Sequence, residues 1–160
     1  MLKFPNKVKI KIIDELARSP IRIKNIIIFV HLFAVKKNDY YLGPFFSDIN
    51  GEIEINRDML AILAEAELQT GIMDYKSVNE CSSLAEINIL SREEIENLVK
   101  GRSLWGVIGR EKELYGTKEE LLNKINNNNN YLVLPCSLRV NWDNSVASVV
   151  SYDLLTSRRK

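Results

Sequence analysis

The sequence predicts an α+β protein: a mainly antiparallel β-sandwich with an inserted helical segment. Three observations predict it. Lys7 to Asp14 alternates charged and apolar residues, the period-two signature of a half-buried strand. Two helix-starting motifs, Ser91-Arg92-Glu93-Glu94 and Thr117-Lys118-Glu119-Glu120, fall in the middle of the chain. Strand-like runs then return after residue 130. At 160 residues and 46% hydrophobic, the chain can bury roughly 70% of its unfolded surface in one core. The expected organisation is one domain over 1–160, with strands within 7–55 and 131–155 and a helical insertion over about 56–127.

Taken in order, Val8, Ile10 and Ile12 face the core, and Lys7, Lys9 and Lys11 face water. A turn at Ala17-Arg18-Ser19-Pro20 leads into a long strand over Ile21 to Val35, apolar on both faces from Ile26 onward. Such a strand needs cover on both faces, by the second sheet and by the helices. Tyr40 to Phe46 returns as a strand broken by Gly43-Pro44, which places it at an edge or at a bulge. Ser47-Asp48-Ile49-Asn50-Gly51 then turns, and Glu52-Ile53-Glu54-Ile55 completes a hairpin.

Asn56 is the N-cap of a helix from Arg57 to Gln69, which stops near Gly71. Leu84 to Leu90 reads as a strand. The two capping boxes open helices running to Lys100 and to about Ile125. Asn126 to Asn130 is low in complexity and reads as a solvated loop. Tyr131 to Leu134, Ser137 to Trp142 and Val146 to Leu155 are extended, and Thr156 to Lys160 is a frayed basic tail.

Lys and Arg number 22 against 21 Asp and Glu, so no dominant basic field exists for a nucleic-acid partner. No signal-peptide pattern is present, and the longest apolar run, Ile26 to Val35, is about half of what a membrane helix needs. These features point to a cytoplasmic protein with no membrane partner. Cys81 and Cys136 lack metal-ligand spacing and read as free buried thiols.

The order of a charged alternating strand, a turn with Pro20, a long apolar strand and Gly43-Pro44-Phe45-Phe46-Ser47-Asp48-x-Asn50-Gly51-x-Ile53 resembles the transthyretin-like sandwich of carboxypeptidase regulatory-like domains. Ser47 to Gly51 fits the family's second turn, whereas Ala17-Arg18 stands where the family usually has Gly. The resemblance spans about a third of the chain. It implies a fold and an accessory or adhesive role, often outside the cytoplasm, rather than an activity.

The chemistry-bearing residues are few. His31, the one histidine, alternates with Phe29 and Phe33 and reads as a hydrogen-bonded side chain packed in the sandwich. One His and two scattered Cys form no recognisable metal set, so neither metal nor cofactor is expected. Gly101-Arg102-Ser103-Leu104-Trp105-Gly106 lacks the glycine of a nucleophile elbow and the lysine of a phosphate loop. Its Trp105 plugs a core or serves as an exposed anchor. Tyr40, Tyr41 and Phe45 crowd the interrupted strand, where an outward aromatic patch beside an open edge would suit a partner strand. The expected function is a non-enzymatic protein-binding or accessory module acting through Tyr40, Tyr41, Phe45 and Trp105. The alternatives are a bacterial immunity or antitoxin-like protein and a small hydrolase using carboxylates.

Overall fold

In a computed structural model, which describes residues 4–32, 40–69, 84–100, 114–142 and 148–159, the chain forms two mostly antiparallel sheets with helices. The elements are β1 (Lys7–Asp14), β2 (Ile27–Leu32), β3 (Tyr40–Phe46), β4 (Glu52–Asn56), α1 (Arg57–Gln69), β5 (Leu84–Ile89), α2 (Arg92–Lys100), α3 (Lys118–Asn126), β6 (Cys136–Asn141) and β7 (Val149–Thr156). The first sheet has the order β4-β1-β7 and the second β3-β2-β5-β6. Val8, Ile10, Ile12, Ile53 and Leu154 of the first meet Ile28, Val30, Leu42, Ile87 and Val140 of the second in one buried cluster.

The alternation in β1 works as its sequence demands: Val8, Ile10 and Ile12 are buried, and Lys9 and Lys11 are exposed. Its pairing with β7 departs from the expectation, because the two strands run parallel, with Lys9 opposite Ser151 and Lys11 opposite Asp153. A parallel neighbour needs a crossover, and here everything between β1 and β7 supplies it.

β2 is buried at all six positions. Ile28, Val30 and Leu32 enter the core between the sheets. Ile27 and Phe29 join Ile95 of α2 with Leu121 and Ile125 of α3, so the helices do cover the second face. The strand begins at Ile27, not at Ile21. Asn25 takes a left-handed φ of 62°, and the Ser47 hydroxyl stands in for a strand neighbour by accepting from Ile26 N–H (2.9 Å) and donating to Ile23 C=O (2.6 Å). Residues 33–35 lie outside the described residues. β3 is an edge strand and its pairing with β2 carries a bulge, as Gly43-Pro44 requires.

The turn at Ser47–Gly51 exists, but the expected hairpin does not. β3 belongs to the second sheet and β4 to the first, so the turn carries the chain from one sheet to the other. Asp48 Oδ1 accepts from Asn50 N–H (2.8 Å) and Glu52 N–H (3.0 Å), and Gly51 N–H donates to Asp48 C=O (3.0 Å). Only Gly51 has positive φ, at 72°.

The helix signals hold. Asn56 Oδ1 accepts from Met59 N–H, Ser91 and Glu94 exchange both bonds of a capping box, and Thr117 Oγ1 accepts from Glu120 N–H. The strand expected over Leu84 to Leu90 forms as β5, and it lies inside the second sheet, between β2 and β6, so the insertion contributes to the sheet as well as to the helices.

Three expectations near the C-terminal end need correction. The asparagine run is not a solvated loop, since Asn128 and Asn130 are 4% and 2% exposed. Asn130 bonds both backbone groups of Ile27 and the carbonyl of Leu90, and Asn129 Nδ2 donates to Lys24 C=O. Asn130–Leu132 is a short helical turn rather than the start of a strand. Nor is the basic tail frayed. Leu134 N–H donates to Ser157 C=O, and Arg159 donates from its backbone to Leu132 and from its side chain to Val133. Among the described residues, no helix is long and apolar enough to cross a membrane.

Candidate functional site

Among the described residues, one concavity forms where the edge strands of the two sheets approach each other. β3 contributes Pro44, Phe45 and Phe46, and β4 contributes Ile53 and Glu54. Met59 of α1, Leu121 and Lys124 of α3, and Leu114-Tyr115 complete a groove of about 220 Å³. Local sequence explains each wall. The bulge and Pro44 bend β3, while the Asn56 cap starts α1 directly after β4 and so turns Met59 toward the opening. Leu121 and Lys124, three residues apart on one helix, fall on the same side.

The lining side chains are mostly apolar, and the rim carries two charges of different standing. Glu54 Oε1 lies 2.8 Å from Lys7 Nζ. The hydrogen bond from Lys7, and then its charge, hold the Glu54 carboxyl below its ordinary value of 4.5, against a smaller opposing effect of burial. Lys124 Nζ stands 4.1 Å from the centre of the Phe46 ring, a cation–π contact. The Tyr115 hydroxyl donates to Pro44 C=O at 2.9 Å. Pro44 has no N–H and its carbonyl is taken, so the middle of this edge is closed to an added strand. Side-chain insertion is what the groove can accept.

The expected site residues divide. Phe45 is 2% exposed and belongs to the core, so it is a wall of the groove and no free surface anchor. Tyr41 is half-buried and stacks on His31, with ring centres 4.4 Å apart and planes within 8°. The Tyr40 side chain and Trp105 lie outside the described residues, as does Cys81. Cys136 is a half-buried free thiol whose ordinary value of 9.0 is pushed up to about 11, chiefly by burial.

His31 is packed, 6% exposed, with Nδ1 at 3.9 Å from Glu86 Oε1. Register places Tyr41, His31, Glu86 and Arg139 in one row across the second sheet. The outer face of the first sheet forms a polar saddle of about 440 Å³, where Lys9 and Lys11 separate Glu52 and Glu54 from Asp153. A carboxylate hydrolase needs one acid raised by burial or by a like charge. Glu54, whose shift is resolved, moves the other way. Among the described residues, no group of three His, Cys, Asp or Glu side chains comes together to hold a metal.

Sequence reasoning missed Lys124, Met59 and Tyr115. No spacing connects them to Pro44; only the meeting of the two sheet edges does.

No protein-family model and no curated protein matches this chain. Among solved structures, a crystal structure of (S)-allantoin synthase is similar at a TM-score of 0.37 and 12% identity, covering 96% of this chain and 43% of that one. The chain thus spans less than half the length of that enzyme.

Proposed function

We propose that the chain is a non-enzymatic protein-binding module, built on a transthyretin-like sandwich, whose edge groove receives a side chain of a partner. The observation that carries this reading is the size and lining of the groove. Its roughly 220 Å³ falls below the about 300–1,000 Å³ typical of ligand and cofactor pockets, yet suits one or two anchoring side chains. Most of its lining side chains are apolar, and the polar groups Tyr115, Glu54 and Lys124 are engaged with the protein itself or stand at the rim.

The test is selection of peptides from a random displayed library on the immobilised protein, followed by binding to the Met59→Asp variant. Selected peptides should bind the parent and lose at least tenfold in affinity on the variant, with its melting temperature kept close to the parent's. Failure to select any peptide, or equal binding to both proteins, would overturn the proposal.

A further inference from the structure

We infer that the edge groove selects an apolar group joined to a carboxylate, an inference that rests on the groove being the binding site. Its basis is the charge left unsatisfied at the rim. Glu54 is neutralised by Lys7 at 2.8 Å, and Lys9 adds a further attraction. Lys124 has the Phe46 ring for company, and among the described residues it has no carboxylate within ion-pairing distance. Glu120, one turn earlier on α3, makes no ion pair with it. Among the described residues, the groove therefore presents mostly apolar side chains and one positive charge without a carboxylate partner.

An occupant with a carboxylate gains twice. Its hydrocarbon covers Phe46, Met59 and Leu121, and its charge meets Lys124 beside a low-dielectric wall. A cationic occupant is repelled by Lys124 and meets at Glu54 a carboxylate already shared with Lys7. A neutral occupant keeps the apolar gain alone. In a partner protein, the matching feature is a large apolar side chain next to Asp, Glu or a chain-terminal carboxylate.

The probes are hydrocinnamate, its neutral amide and phenethylammonium, titrated into the isotopically labelled protein and followed by amide NMR. Hydrocinnamate should shift the amides of Phe46, Met59 and Lys124 with millimolar affinity, about two- to fivefold tighter than the neutral amide. That advantage should vanish in Lys124→Gln, survive in Lys124→Arg, and shrink in about 0.5 M sodium chloride. Equal binding of the three probes at the groove, or a preference for phenethylammonium, overturns the carboxylate preference and leaves the groove intact as a site. Absence of any shift at the groove amides overturns both.

Discussion

The side chain of Asn130 pairs with Ile27 as a neighbouring strand would: Ile27 N–H donates to Asn130 Oδ1 at 2.7 Å, and Asn130 Nδ2 donates back to Ile27 C=O at 2.9 Å. The same Nδ2 also reaches Leu90 C=O at 2.8 Å, so one amide closes the ends of β2 and β5. Asn128 Oδ1 in turn accepts from Asn130 N–H, and Asn128 Nδ2 donates to Ile125 C=O at the end of α3. A loop rich in asparagine thus does the hydrogen bonding of a missing strand.

Asn130→Ala should therefore cost at least about 2 kcal/mol, because it strands buried backbone groups of Ile27 and Leu90 without partners. Asn130→Asp should be as harmful, since a carboxylate cannot donate to the two carbonyls. Asn127→Ala, at an exposed position, should stay within about 0.5 kcal/mol. Urea melts of the three variants check this, and equal midpoints would contradict it.

Gly51 is the second local commitment. A Cβ built there would sit 2.0 Å from the carbonyl oxygen of Ile21, and its φ is +72°. Both the left-handed backbone and the backbone overlap penalise any side chain, so Gly51→Ala should cost about 3 kcal/mol or more. Asp48→Ala, which gives up two exposed hydrogen bonds, should cost about 1 kcal/mol. Chemical denaturation that ranks the two in the opposite order would refute this assignment.

Glu54 offers a titration test. Its carboxyl lies below 4.5 because of Lys7, so the pair's contribution is complete above that unfolded value and is lost as pH falls through the lower folded one. In Lys7→Ala the Glu54 side-chain carbon signal should titrate higher, moving toward 4.5. No movement would mean that the lysine is not its partner in solution.

At the other end of the pH scale, Cys136 ionises near 11 when folded and near 9.0 when not. The unfolded chain releases its proton first, so stability should fall as pH rises from about 9 to about 11. Burial also raises the Tyr152 phenol above its ordinary 10.0, partly offset by the Trp142 indole, which lowers it, so Tyr152 adds to the same decline. Cys136→Ala should flatten part of this decline in the urea midpoint measured against pH. An unchanged slope would count against the burial of the thiol.

How much of this was legible depended on range. Period-two alternation exposed β1, and caps at Asn56, Ser91 and Thr117 placed the helix starts, because these are contacts within a few residues. Gly43-Pro44 announced an interrupted strand for the same reason. Sheet membership was not local. Asn50-Gly51 encodes a turn, but whether the next strand pairs back or crosses to another sheet depends on Ile53 and Ile55 finding Ile10 and Val8. The asparagine run misled because composition reports solubility, whereas the partners of Asn130 lie 103 and 40 residues away. The groove was least legible, since Pro44, Met59 and Lys124 meet only after both sheets form.

The parallel pairing of β1 with β7 has a kinetic corollary. Of the described strands, β1 leaves the ribosome before the others, and β7, which pairs with it from Lys7–Val149 to Asp14–Thr156, leaves after them. Until β7 emerges, β1 has one neighbour and an unsatisfied edge. Loops this long close slowly, and an early strand waiting on a late one lengthens the time that apolar Val8, Ile10 and Ile12 are open to wrong partners. The second sheet, assembled from β2, β3, β5 and β6, can form beforehand and serve as a template. The order of synthesis therefore lets the second sheet assemble before β7 closes the first.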